Sequence, residues 1–294
     1  MPKEGWELVR EDCDYPESLE AMATQPRVIY GRGDPAVLSQ PCLAVIGARQ
    51  ATPYGLTIAS MAGRVAAESG IVLVSGGAMG CDAAAARGAL DAGGRTIVVS
   101  GVGADRIYPQ SSADVYERAI AQGGAVISLE HWGSEPVPYR FPKRNRIIAA
   151  LSKAVLVCEA GARSGTTSTA MAAVDYGREV YAAPGSIFSQ YSQGANALIR
   201  DGAHIITCEA DLEMLLSRDY GVLRLVGERV VKPRDRVLSA LVATPLRVDD
   251  LAHQMGETPL DMMRKIAELE VLGAVVRLPD GRYTATEQTL LTTG

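Results

Sequence analysis

Leu43-Ala44-Val45-Ile46-Gly47-Ala48-Arg49-Gln50-Ala51-Thr52-Pro53 decides the fold. An apolar run without polar alternation reads as a strand buried on both faces, as parallel strands are. Gly47 turns the chain, and Thr52-Pro53 supplies an N-cap followed by proline at the first helical position. The helix so opened is expected to reach about Ser69, with Ile58, Met61, Ala62, Val65 and Ala66 on one face. Strand, glycine turn and amphipathic helix are the unit of a doubly wound α/β sheet.

The unit repeats outward. Strands are expected at 27–30, 43–46, 71–74, 96–100, 125–128, 154–158, 179–182 and 204–207, with helices at 82–90, 111–121, 166–176 and 192–200 between them. The expected fold is an extended Rossmann-like, mostly parallel doubly wound sheet over 27–218, preceded by a short N-terminal extension, 1–26. A linker, 219–233, leads to a second unit over 234–288. There, helices at 234–242, 248–254 and from Thr258-Pro259 to Gly273 precede a hairpin turning at Pro279-Asp280-Gly281, the pattern of a winged helix-turn-helix. Its third helix leads with Glu257 and Asp261, a poor match to a DNA major groove, which favours a protein-contact or intramolecular role; Arg277 and Arg282 in the wing remain open to DNA.

The 294 residues are 47% hydrophobic and 21% charged, which describes a globular chain with a large core. Five scattered cysteines, none in a CxxC pair, fit free thiols in a reducing compartment rather than a zinc site or disulfide frame. No leader-like apolar segment and no long apolar run occurs, so a soluble cytoplasmic protein without a membrane segment is expected.

Against a net charge of −5, the stretch from Arg140 to Lys153 holds five basic residues and no acidic one. It opens Arg140-Phe141-Pro142-Lys143-Arg144-Asn145-Arg146, in a chain with only two Phe. Cations at a helix start oppose the macrodipole, so helix stability does not select them there. Ile147-Ile148-Ala149-Ala150-Leu151 would anchor that helix and leave its basic end for an anion. Cations tracking phosphates beside a ring that accepts a base suit a single-stranded nucleic acid.

Glycine loops after the strands, at Gly47, Ser75-Gly76-Gly77, Gly101-Val102-Gly103 and Ser164-Gly165, should converge on the carboxyl edge of the sheet, where backbone N–H groups and helix N-termini attract phosphate. Neither a dinucleotide fingerprint nor a Walker loop is present. No GxSxG elbow occurs, and His131, His204 and His253 suggest no triad or metal site. Asp82 and Glu159 stand at strand–helix junctions, where capping and loop hydrogen bonds compete with a role on a ribose.

Assembled, these residues resemble the bacterial DNA-processing protein A family (DprA, also called Smf). The likeness runs in order from Tyr15-Pro16 through Val45-Ile46-Gly47-Ala48-Arg49, Ser75-Gly76-Gly77, Gly80-Cys81-Asp82 and Tyr108-Pro109. It continues through the Phe141–Ala149 run to Ser164-Gly165-Thr166, Pro184-Gly185 and Gly194-Ala195-Asn196. Ala86 stands where the family usually carries His, and no helical SAM-like domain is expected before the sheet. The resemblance implies a protein that binds single-stranded DNA, dimerises through the Rossmann-like domain and helps load a RecA-type recombinase, with no cofactor, metal or enzymatic activity. It implies phosphate contacts for Arg49, Lys143, Arg144 and Arg146, a hydrogen bond to phosphate or base from Asn145, stacking on Phe141, and amides of Gly76, Gly77, Ser164 and Gly165 completing the pocket. Arg144 or Arg146 pairing with Asp82 or Glu159 to hold the loops is the alternative. A phosphoribohydrolase of the LOG type is the competing function; its glycine-rich run with a distal Glu is absent around Glu159.

Overall fold

The computed structural model describes residues 5–162, 164–224 and 235–286. Most of the expected linker, 225–233, together with position 234 and the end of the second unit at 287–288, lies outside the described residues.

The first unit is a nine-stranded sheet between two helical layers. Its strands are β1 (Gly5–Val9), β2 (Val28–Gly33), β3 (Cys42–Ile46), β4 (Val72–Ser75), β5 (Thr96–Ser100), β6 (Ala125–Ser128), β7 (Ala154–Val157), β8 (Glu179–Ala182) and β9 (His204–Ile205), in spatial order β1-β2-β6-β5-β4-β3-β7-β8-β9. From β6 to β9 all neighbours are parallel, while β2 runs antiparallel to β6 and β1 antiparallel to β2. The doubly wound, mostly parallel sheet of the sequence reading is therefore present.

Strand β3 shows why a continuous apolar run was needed. Leu43 and Val45 face one core, whereas Cys42, Ala44 and Ile46 face the other, and all five are buried. The first layer holds α1 (Pro53–Glu68), α2 (Cys81–Asp91), α3 (Ala113–Ala121) and α7 (Glu209–Tyr220); the second holds α4 (Arg140–Leu151), α5 (Gly165–Asp175) and α6 (Gln193–Arg200). Helix α1 starts as its sequence requires: the Thr52 side chain accepts from the Gly55 N–H, with Pro53 in the first turn.

The N-terminal extension needs correction. It contributes β1, so the sheet begins at Gly5 rather than at 27. This edge strand alternates, with Leu8 buried and Glu7 exposed, and lacks the solid apolar run of the central strands. Trp6 lies over Gly31, where any side chain would collide with the indole, and its Nε1 donates to the Gly33 carbonyl at 2.8 Å. At the opposite edge the strand expected over 204–207 is only the pair His204–Ile205.

The second unit comprises α8 (Arg236–Ala243), α9 (Val248–Met255), α10 (Pro259–Val271) and a hairpin of β10 (Val275–Arg277) with β11 (Tyr283–Ala285). Val237, Leu241, Leu251, Ala252, Met262, Ile266 and Val275 form its core. It is a winged helix.

Candidate nucleic-acid interface

Strands β4, β5 and β6 extend from β3 on one side, and β7, β8 and β9 on the other. The loops after β3 and β7 thus diverge at the topological switch point, where open α/β sheets bind ligands. The crossover from β6 to β7 carries α4 beneath β5, β4 and β3, and brings its first turn to the carboxyl edge.

Backbone bonds tie the loops of this edge together. Ala48 N–H donates to the Glu159 carbonyl at 2.8 Å, Cys81 N–H to the Ala48 carbonyl at 3.2 Å, and Thr166 Oγ1 to the Gly47 carbonyl at 3.0 Å. Gly80, at φ +81°, lets its loop lie against the backbone of Ala48 and Arg49, a conformation and an approach that a side chain would prevent.

Five of the expected residues meet here. Arg49 is exposed, and its guanidinium stands 5.3 Å from the centre of the Phe141 ring. Phe141 is half-buried against Gly101, 5.8 Å from the Tyr108 ring, with one face toward Arg49. Asn145, one turn later on α4, carries its amide to the start of α5 at Gly165. Ser164 caps that helix: its hydroxyl accepts from the Thr167 N–H at 3.3 Å. Cation, ring, amide and helix N-terminus therefore follow one another along one edge.

Lys143 and Arg146 project from the neighbouring side of α4. Both are exposed and, with Arg27 and His131, line a groove of about 790 Å³ between α4 and the segment ahead of β2. Tyr30 and His131 brace the groove wall through a 2.7 Å hydrogen bond between the phenol and Nδ1. Among the described residues no carboxylate pairs with Arg49, Lys143 or Arg146. Arg140, by contrast, is neutralised by Glu130 at 2.9 Å and donates to the Glu135 carbonyl.

Three expected contacts are turned inward. Arg144 is buried and its Nη1 donates to the Val99 carbonyl at 2.6 Å. Burial pulls its pKa down, opposed by the neighbouring Asp82 carboxylate. Asp82 is also buried; desolvation raises its pKa, against the pull of Arg144 and of the Gly76, Ala78 and Gly47 amides. The Gly76 N–H is spent on Asp82 Oδ2 at 3.1 Å, and Gly77, at φ +64°, packs against Val98 and Tyr116. Arg144, Gly76 and Gly77 therefore hold the loop in shape instead of facing a ligand. The spacing carried the signal for Arg144: it precedes Ile147 and Ile148 by three and four positions, which puts it on the buried stripe.

Glu159 is likewise internal. Its two oxygens accept from the Thr52 backbone N–H and hydroxyl, both at 2.7 Å, so the start of α1 is already occupied by a carboxylate. Of the described residues, none form a group of three His, Cys, Asp or Glu able to hold a metal ion, and no described helix is long and apolar enough to cross a membrane. In the winged unit, Lys265 pairs with Glu257 at 2.5 Å and Arg282 with Asp280 at 2.6 Å, so these cations are compensated.

Comparison with known proteins gives a consistent outcome. Residues 6–217 match the family described as DNA recombination-mediator protein A, and residues 229–281 match the DprA winged helix domain. The Smf protein of Escherichia coli K12 is 34% identical over 93% of this chain and 76% of its own. The DNA processing protein DprA of Streptococcus pneumoniae is 37% identical over 69% of this chain and 71% of its own. The X-ray structure of the pneumococcal protein superposes with a TM-score of 0.67 over 71% of this chain and 74% of that one, at 35% identity. DNA processing protein A of Helicobacter pylori, solved for insight into its single-stranded DNA binding mode, superposes with a TM-score of 0.66 over 74% of this chain and 97% of that one, at 32% identity.

Proposed function

Because the chain belongs to the DNA recombination-mediator protein A family, we propose that it binds single-stranded DNA along the carboxyl edge of its sheet, protects it and delivers it to a RecA-type recombinase in transformation or recombination. One observation carries this reading: Arg49 stands exposed over a half-buried Phe141, Lys143 and Arg146 stand exposed in the adjoining groove on the same helix, and among the described residues no carboxylate pairs with any of the three, in a chain of net charge −5. Phosphates attract the cations without regard to sequence, and the ring accepts a base in a way duplex stacking does not allow. Asn145 and the amides at Ser164-Gly165 would hydrogen-bond the strand between them.

The protein acts in this reading by holding and presenting a polymer, not by transforming it. The competing nucleotide hydrolase is disfavoured by the segment after β7, which lacks the distal Glu of that family's glycine-rich run, while the Glu159 carboxylate is spent on the Thr52 N–H and hydroxyl. Homodimerisation through the sheet domain and a protein-contact role for the winged helix belong to the same proposal; light scattering of the purified chain tests the first. The DNA-binding unit is assigned to the sheet domain up to about residue 218.

A gel-shift comparison of single-stranded and duplex DNA at two salt concentrations tests the central reading. Preference for the single strand, with affinity falling as salt rises by ~0.7 in log–log slope per phosphate neutralised, is the expected result. Equal affinity for duplex, or release of free base from a nucleotide panel, would overturn it.

A further inference from the structure

Phe188 is 92% exposed, the most exposed large hydrophobic side chain among the described residues. It is also the second of only two phenylalanines, the first being Phe141. Ile187 at 78% and Tyr191 at 41% stand beside it in the loop that follows β8. Apolar side chains displayed so openly in one place mark a contact surface.

The loop is held rigidly. The Asn196 side chain spans Gly185, accepting from its N–H and donating to its carbonyl, both at 3.0 Å. Ser189 N–H donates to the Ser186 carbonyl at 3.0 Å, Ser192 N–H to the Ser189 carbonyl at 3.1 Å, and the Tyr54 hydroxyl to the Pro184 carbonyl at 2.5 Å. Gly194 N–H donates to the Ala160 carbonyl at 2.8 Å, which seats the loop on the turn leading to Ser164-Gly165. A ring carried on so constrained a backbone pays little entropy on receiving a ligand.

We propose that Phe188, with Ile187 and Tyr191, forms a second base-stacking subsite for the single strand that passes Phe141. The inference rests on the proposed DNA-binding function and extends its path. The order β5-β4-β3-β7-β8 places four strand spacings, roughly 19 Å, between the Gly101 end of β5, where Phe141 packs, and the end of β8. Arg49 after β3 and Gly165 after β7 fall between the two rings. The place on the edge selects the occupant, since the strand that passes Arg49 and Gly165 reaches this loop next, and no local charge opposes it: no acidic residue occurs between Glu179 and Asp201, and none between Glu159 and Asp175. A flat ring without a hydrogen-bonding group accepts any base, so the subsite adds affinity without sequence preference.

Anisotropy with labelled oligothymidylates of about 3 and about 20 nucleotides tests the subsite, the shorter one being too short to reach from one ring to the other. Phe188→Ala should weaken binding of the longer strand about tenfold, change the shorter one far less, and leave the salt slope as in the wild type, because no phosphate contact is removed. Phe188→Trp should restore affinity and show emission quenched by the longer strand. If Phe188→Ala binds the longer strand as the wild type does, while Lys143→Glu with Arg146→Glu does not, the subsite is wrong and the DNA-binding function stands. Unchanged DNA affinity with an altered oligomeric mass would reassign the loop to a protein contact and equally overturn the subsite. Failure of the wild type to bind either strand would sink the functional reading itself, and the subsite with it.

Discussion

Arg144 and Asp82 flank the Cα of Gly76, so that a side chain at Gly76 would collide with the guanidinium of one and the carboxylate of the other. Both are buried, and the arginine is anchored to β5 through the Val99 carbonyl. The basic run of α4 is thereby fixed to the glycine loop after β4. Removing one partner of a buried charge pair typically costs ~3–5 kcal/mol, because the other charge stays uncompensated. Arg144→Ala should lower the melting temperature markedly, yet below its new transition it should keep the salt dependence of DNA binding seen in the wild type. A salt slope reduced by ~0.7 at unchanged stability would instead make Arg144 a phosphate contact.

The same pair sets a pH dependence. Burial holds the Asp82 carboxyl above its usual value, so its contribution to stability is complete below the unfolded carboxylate range and is lost as pH rises through the raised folded value. Arg144 limits that rise. In Arg144→Gln the carboxylate loses its cation, so the variant should be closest to wild-type stability near pH ~4 and fall progressively behind it toward pH ~7. Thermal melts across that range check this; a stability deficit independent of pH would contradict it.

What the sequence revealed and what it hid follow one physical division. Strands β3 to β8 were legible because burial on both faces leaves a solid apolar run, as in Leu43–Ile46, and because glycine and Thr52-Pro53 mark the turns. Strand β1 was not, since an edge strand with Glu7 outward and Leu8 inward is short and mixed. The location of the basic island was legible from its charge. Its division into exposed Lys143 and Arg146 and internal Arg144 depends on helix phase, which the run Ile147-Ile148 encodes but charge alone does not. The partners of Gly76 and Glu159 lie six and more than a hundred positions away, and only the folded loops bring them together.

Glu159 offers a local test of the occupied helix start. Glu159→Ala removes the carboxylate that accepts from the Thr52 N–H and hydroxyl, and loss of such a cap costs ~0.5–2 kcal/mol. The melting temperature should fall by a few degrees, and single-strand affinity at low salt should be retained or rise slightly, since a negative charge leaves the edge. A large loss of DNA affinity in a folded Glu159→Ala protein would show that the carboxylate positions the strand.

Arg49 and Phe141 should act as a unit. The guanidinium lies 5.3 Å from the ring centre, and the ring packs at Gly101 with the Arg144 guanidinium 5.9 Å from its centre, so Arg49 rests on a ring that is itself held in place. Phe141→Ala removes a stacking face worth ~1–3 kcal/mol per base and also frees Arg49 to wander. On the proposed function, Arg49→Ala should remove one phosphate contact and uncover the ring. The two losses should be less than additive, the coupling amounting to ~0.5–3 kcal/mol in a double-mutant cycle, with the salt slope falling by ~0.7 only where Arg49 is changed. Independent, fully additive effects would mean that the pair is proximal but not coupled, and the ring would then be a packing residue.

The exposed cations Lys143 and Arg146 should separate cleanly from all of these. Neither carries an ion pair among the described residues, so charge reversal breaks no internal bond and should leave the melting temperature within about a degree of the wild type. Lys143→Glu with Arg146→Glu places two negative charges beside Arg27 in the groove, repelling the strand where it was attracted. Single-strand binding should fall by two orders of magnitude or more at low salt, and the remaining binding should show a log–log salt slope smaller by ~1.4, two phosphate contacts at ~0.7 each. Conservative Lys143→Gln with Arg146→Gln should give the same slope change with a smaller loss, because it removes attraction without adding repulsion. Unaltered affinity in the folded reversal variant would move the strand out of this groove and confine it to the Arg49 edge.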